Sequence, residues 1–226
     1  MEKPIKKELL VIEDNKKYLE NAKEAFGDKA IYVENYEDAL NFINAVDKFL
    51  IDVYIPETKE IKLGKTSEEF YEDIEEKIRD IIFKEGIYKL KGTELEASLF
   101  RYVKYVWNLE VNSLEELGRK NIEKITKRKI EDIIYDEILE GDEILEGYLD
   151  IIRRERKKGH APLGILLAKK ALEIDKKFVL VTDADHHDKT PYILNEIYFG
   201  GRANLVLGYG NKSVETWKKA YNLLKE

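Results

Sequence analysis

Carboxylates stand where short apolar runs end. Glu13 and Asp14 follow Leu10-Val11-Ile12, Asp52 lies within Phe49-Leu50-Ile51-Asp52-Val53-Tyr54-Ile55-Pro56, and Asp183 follows Val179-Leu180-Val181-Thr182. If these runs are neighbouring parallel strands, Glu13, Asp14 and Asp52 converge at one edge of a sheet, where open α/β sheets bind their ligands. Carboxylates held that close repel one another, so they either raise a pKa or recruit a cation. A hard divalent ion such as Mg²⁺ suits an all-oxygen donor set and keeps several of its waters. The chemistry to expect from these residues alone is binding of a hard metal ion.

The elements that would position these residues follow from periodicity. Residues 8–12 read as a buried strand, and Tyr18, Leu19, Ala22, Ala25 and Phe26 recur at helical spacing until Gly27-Asp28 stops them. A second strand at 30–33, a helix over 36–46 and a third strand at 49–56 come next. After a long gap the alternation resumes with a helix over 164–174, a strand at 178–183, a helix over 191–198, a strand at 203–207 and a helix over 213–224. Strand and helix in alternation predict an α/β fold, a doubly wound five-stranded parallel sheet of the flavodoxin type with right-handed crossovers. Residues 57–158 break the pattern and predict an all-α insertion after the third strand, leaving 1–56 and 159–226 as one discontinuous domain. Thr66/Glu69, Thr93/Glu96 and Ser113/Glu116 read as capping boxes there. The stripes Leu99-Tyr102-Val103-Val106-Trp107 and Ile122-Ile125-Ile130-Ile133-Ile134 predict a bundle packed on itself, or a surface for a partner or a second copy.

Composition narrows the function. With 226 residues, 43% hydrophobic, the chain can bury a sizeable core, and no apolar run approaches the length of a membrane span. A start of Met1-Glu2-Lys3-Pro4 without an apolar run predicts a cytoplasmic protein with no membrane partner. The absence of cysteine excludes disulfides and thiolate chemistry. A net charge of −7 makes nucleic acid an unfavourable bulk partner, and the basic runs at 124–129 and 153–158 alternate with acids as solvated helix faces do. Charged residues at 38% with no glutamine resemble the composition of hyperthermophile proteins.

Taken in order, the motifs resemble the receiver (CheY-like) domain of two-component response regulators. Leu10-Val11-Ile12-Glu13-Asp14-Asn15 is similar to the family's first strand with its acidic pair, and the run around Asp52, with Pro56 four residues on, is similar to its phosphoacceptor strand. Pro162-Leu163-Gly164-Ile165-Leu166-Leu167 fits the glycine that opens the third helix, and Val179-Leu180-Val181-Thr182 the fourth strand with its terminal hydroxyl. The resemblance covers about 1–56 and 160–226. It implies that Asp52 accepts a phosphoryl group, that Glu13, Asp14 and Asp52 hold Mg²⁺, and that Thr182 bonds the phosphoryl oxygen. The family's lysine ends the fifth strand and precedes a proline. Here the stretch reads Leu207-Gly208-Tyr209-Gly210-Asn211-Lys212, so Lys212 would have to reach back from a longer loop. Two readings stay open: a live receiver that autophosphorylates from a phosphodonor, and a folded pseudo-receiver that does not. In either, a kinase or output protein is the expected partner, through the receiver face or the insertion.

Competing chemistry centres on Thr182-Asp183-Ala184-Asp185-His186-His187-Asp188. Asp183 and Asp185, with Glu13, resemble the acidic set of Toprim domains, which would imply Mg²⁺-dependent cleavage or phosphotransfer on nucleic acid. His186 and His187, with nearby acids and His160, could serve a transition metal, or the loop simply caps the helix beginning near Pro191.

Overall fold

The computed structural model describes residues 7–90, 116, 156–157, 159, 161–183 and 190–225. Five short strands form the sheet: β1 (Leu9–Ile12), β2 (Ala30–Val33), β3 (Lys48–Asp52), β4 (Lys177–Thr182) and β5 (Leu205–Leu207). They pair in the order β2-β1-β3-β4-β5, every pair parallel. Between them lie α1 (Lys16–Phe26), α2 (Tyr36–Phe42), α3 (Lys65–Leu90), α4 (Leu163–Glu173) and α5 (Thr190–Phe199), and α6 (Val214–Leu223) follows β5.

All four residues of β1 are buried, because both faces of a central parallel strand meet packed side chains. Leu9, Val11, Leu50, Val179, Val181 and Val206 share one cluster with Tyr18, Ala22 and Trp217. By the two-residue alternation of a strand, Leu10, Ile12, Phe49, Ile51 and Leu180 point the other way, and they too are buried. Helix α1 packs on α6, α6 on β4 and β5, while α4 packs on β3 and β4 and against α2 and α5. Among the described residues no helix is long and apolar enough to cross a membrane.

Several boundaries differ from the sequence reading. The third strand ends at Asp52, not at Pro56; beyond it, Ile55 makes only an isolated bridge to Pro162. Helix α2 stops at Phe42 rather than 46. Helix α3 begins at Lys65, so Thr66 is inside its first turn and is not its cap. The cap comes from Glu57, whose carboxylate accepts from the backbone N–H groups of Gly64 (2.9 Å), Thr66 (3.2 Å) and Ser67 (3.0 Å), and from the Ser67 hydroxyl (2.8 Å). Those N–H groups lack partners within a helix, and a carboxylate also suits the positive end of the helix dipole. Burial alone would raise the Glu57 pKa, but these bonds outweigh it and hold it low.

The chain divides into two compact units, Met1–Glu72 with Ile151–Glu226, and Asp73–Asp150. The capping boxes at Thr93/Glu96 and Ser113/Glu116 and both apolar stripes of the expected insertion lie outside the described residues, Glu116 excepted. His160, Asp185, His186 and His187 lie outside them too.

Candidate metal and phosphoryl site

Glu13 is the residue immediately after β1. Its N–H still bonds to the carbonyl of Val33 (3.0 Å), so its backbone is held by the sheet, and the residue is wholly buried. Asp52, the last residue of β3, stands opposite Val181 of β4 and is 6% exposed. Asp14, one step further along, is exposed. One carboxylate oxygen from each of the three lies within 4.8 Å of the others, so the sequence-derived trio is brought together.

Lys212 joins this cluster from the loop after β5. The chain after β5 turns back through Tyr209 and Gly210, both with positive φ (49° and 79°), and Asn211 N–H closes the turn on the Gly208 carbonyl (3.0 Å). Helix α1 pins the turn: the Tyr18 hydroxyl donates to the Gly210 carbonyl (2.9 Å) and the Asn21 amide to that of Lys212 (2.8 Å). Lys212 is thereby driven inward until it is fully buried. Its Nζ donates to Glu13 Oε2 at 2.6 Å and stands 2.9 Å from Asp52 Oδ1, a charge pairing rather than a well-aimed hydrogen bond. The rings of Tyr18 and Trp217, 5.4 and 6.0 Å from Nζ, complete its surroundings.

The electrostatics follow from two buried carboxyls facing one ammonium. Burial raises the Glu13 pKa to about 8, with the Asp52 charge adding to the rise and Lys212 opposing it. Burial likewise raises Asp52 to about 6, against the pull of Lys212. Burial would lower Lys212, but Asp52 and Glu13 more than offset this and hold it above its ordinary value. The ammonium therefore stays charged, and one carboxyl of the pair readily keeps a proton. Once that proton is displaced, two carboxylates with Asp14 beside them exceed the single cation, and that surplus negative charge is what a divalent ion would neutralise.

The cluster opens into a cavity of about 280 Å³, lined by Glu13, Asp14 and Asp52 and also by Tyr18, Tyr54, Lys62 and Asp183. All donors at its acidic end are oxygens, which fits a hard ion with bonds of about 2.1 Å and waters in the remaining positions. Glu13, Asp14 and Asp52 are the residues that would hold it. Thr182, at the end of β4, is fully buried and does not line the cavity. Its carbonyl accepts from Gly208 N–H at 2.7 Å, which ties the β4 end to the loop that carries Lys212.

Gly164 has a role set by space. Its N–H bonds to the Val53 carbonyl (3.1 Å), and a Cβ there would fall 1.8 Å from the Asp52 carbonyl oxygen. Only glycine lets α4 approach the end of β3 so closely. Apolar periodicity gives Lys62 and Tyr54 no site role and places Tyr18 only on the apolar face of α1. For Lys62 the sequence carries no signal, since it lies in a loop whose path periodicity does not fix. Compared with protein-family models, with curated proteins and with solved structures, the chain gives no match.

Proposed function

We propose that the chain is a receiver-like signalling module: a doubly wound domain with a helical insertion, acting in the cytoplasm through a protein partner, with Asp52 as phosphoacceptor. The observation that carries this reading is the position of Lys212, 2.9 Å from Asp52 within the same acidic cluster as Glu13 and Asp14. A phosphoryl acceptor needs a nucleophilic carboxylate, a fixed cation for the phosphoryl oxygens and a place for a metal ion, and these three meet at one sheet edge.

In the proposed reaction a carboxylate oxygen of Asp52 attacks phosphorus, the bond to the donor's leaving oxygen breaks, and an acyl phosphate forms on Asp52. A bound Mg²⁺ would offset charge on the transferring oxygens. Lys212 is placed to exchange its contact with Asp52 for one with the incoming phosphoryl group while Glu13 keeps it oriented. The Thr182 hydroxyl would need to turn toward the cavity to take part. Lys62 lines the mouth, where it could meet an anionic donor.

The test is incubation with acetyl phosphate and Mg²⁺. The gain of one phosphoryl mass, lost in Asp52→Asn, supports the reading; no gain in the folded protein leaves the pseudo-receiver. A second reading is favoured by one observation, that Asp183 lines the same cavity as Glu13. Toprim-like chemistry would appear as Mg²⁺-dependent nicking of supercoiled plasmid, abolished by Asp183→Ala and unaffected by Asp52→Asn.

A further inference from the structure

At the opposite end of the sheet, where the strands begin, the last turns of α4, α5 and α6 leave a groove of about 580 Å³. Its walls are apolar: Leu172, Phe178, Phe199 and Leu223 line it, with Phe178 and Phe199 in tilted contact at 5.4 Å. Leu172 is 56% exposed at its margin. Every charged side chain lining the groove is cationic, namely Lys176, Lys177 and Arg202, in a chain whose net charge is −7.

Lys176 is neutralised by Asp47. Lys177 and Arg202 are exposed, and neither has an ion-pair partner among the described residues. Lys177 also stands directly opposite Lys48 across the β3–β4 pairing, a like-charge juxtaposition that costs stability in a sheet. Helix carboxyl ends attract cations, which accounts for a basic residue beside each helix end. Lys48 does not line the groove and sits over the Tyr221 ring at 5.5 Å, which leaves Lys177 and Arg202 as the cations the groove offers to an anionic group.

We propose that this groove docks an acidic peptide segment of a protein partner, one carrying large aliphatic or aromatic side chains among its carboxylates. The apolar side chains fill the space between the helix ends while the carboxylates meet Lys177 and Arg202. The concavity favours a peptide over a membrane surface, which presents a plane. Charge complementarity of this kind sets orientation and raises the association rate, and salt weakens it. The surface shares no lining residue with the acidic cavity, so binding here is measured on the unphosphorylated chain.

The experiment measures binding to the full chain by fluorescence anisotropy, using a labelled peptide in which Leu and Phe recur among Glu residues and a matched peptide with Lys in place of Glu. The expected result is saturable binding of the acidic peptide, weakened by added salt, and at least about tenfold weaker in Lys177→Glu/Arg202→Glu, equivalent to about 1.4 kcal/mol. Lys177→Gln/Arg202→Gln, a milder change should the reversal disturb folding, is expected to weaken it in the same direction, and Leu172→Asp likewise. Equal binding of the two peptides, or acidic binding unchanged in folded charge variants, would overturn the proposal. So would adsorption to phosphatidylserine vesicles in the absence of peptide binding, which would assign the cations to a lipid surface.

Discussion

Lys212 is the residue on which the acidic cluster depends. Deleting its ammonium leaves Glu13 and Asp52 buried without a counter-charge, a change that typically costs about 3–5 kcal/mol. Lys212→Met is therefore expected to lower the denaturant midpoint sharply at pH 8 and much less at pH 5, where both carboxyls can take up protons. The pH dependence of the native protein has a definite sign. Glu13 and Asp52 have folded pKa values of about 8 and about 6, above their ordinary values, so over that range the folded state holds more protons than the unfolded chain. Their contribution to stability is full below pH 4 or so and is lost as pH rises through 6 and then 8. A divalent ion must displace the same protons, so Mg²⁺ affinity is expected to increase between pH 6 and 8, measured by titration calorimetry in two buffers that differ in ionisation enthalpy. A flat affinity across that range would mean that Glu13 and Asp52 are not the ligands. The carboxylate trio was legible because strand ends can be read from where apolar runs stop. The burial of Lys212 was not, because it depends on a turn with two positive-φ residues and on anchors nearly two hundred positions away.

Among the elements, the approach of α4 to β3 is the least tolerant. Gly164→Ala would put a methyl group into the Asp52 carbonyl, and overpacking of this sort costs about 1–3 kcal/mol. The expected outcome is a lower melting temperature together with weaker Mg²⁺ binding, since β3 must shift at the residue that ends it. Trp217 on α6 offers a contrasting case. It is fully buried, its Nε1 donates to the Tyr18 carbonyl (3.1 Å), and its ring lies 6.0 Å from the Lys212 ammonium. In Trp107→Phe, where Trp217 is the remaining tryptophan, Mg²⁺ is expected to change the emission at 217, with Asp52→Asn reducing the effect. Strand positions were readable to within a few residues from apolar runs. The Thr66/Glu69 pattern reads as a capping box, but Glu57, from outside the helix, supplies the cap of α3.

For the whole molecule, an all-parallel five-stranded sheet was implied by the alternation of strands and helices, whereas the order β2-β1-β3-β4-β5 is not fixed by alternation alone. What alternation does not supply is the long excursion between β3 and β4, for periodicity names helices without saying how they pack. Hydrogen exchange separates the contributions: adding Mg²⁺ is expected to protect amides at the ends of β1 and β3, at Glu13 and Asp52, more than those at the strand starts. Uniform protection would indicate stabilisation unrelated to the acidic end.

The pairing of β3 with β4 has a consequence in time. These two central strands are parallel neighbours, yet more than a hundred residues of chain separate Lys48 from its partner Lys177. During synthesis on a ribosome, β1, β2 and β3 emerge long before β4, and at about 5–20 residues per second the wait lasts roughly 6–25 seconds. Through that interval the flank of β3 presents unpaired backbone groups, the kind of edge that recruits foreign strands. Nascent chains stalled before residue 177 should therefore be held by chaperones, and release should coincide with the arrival of β4.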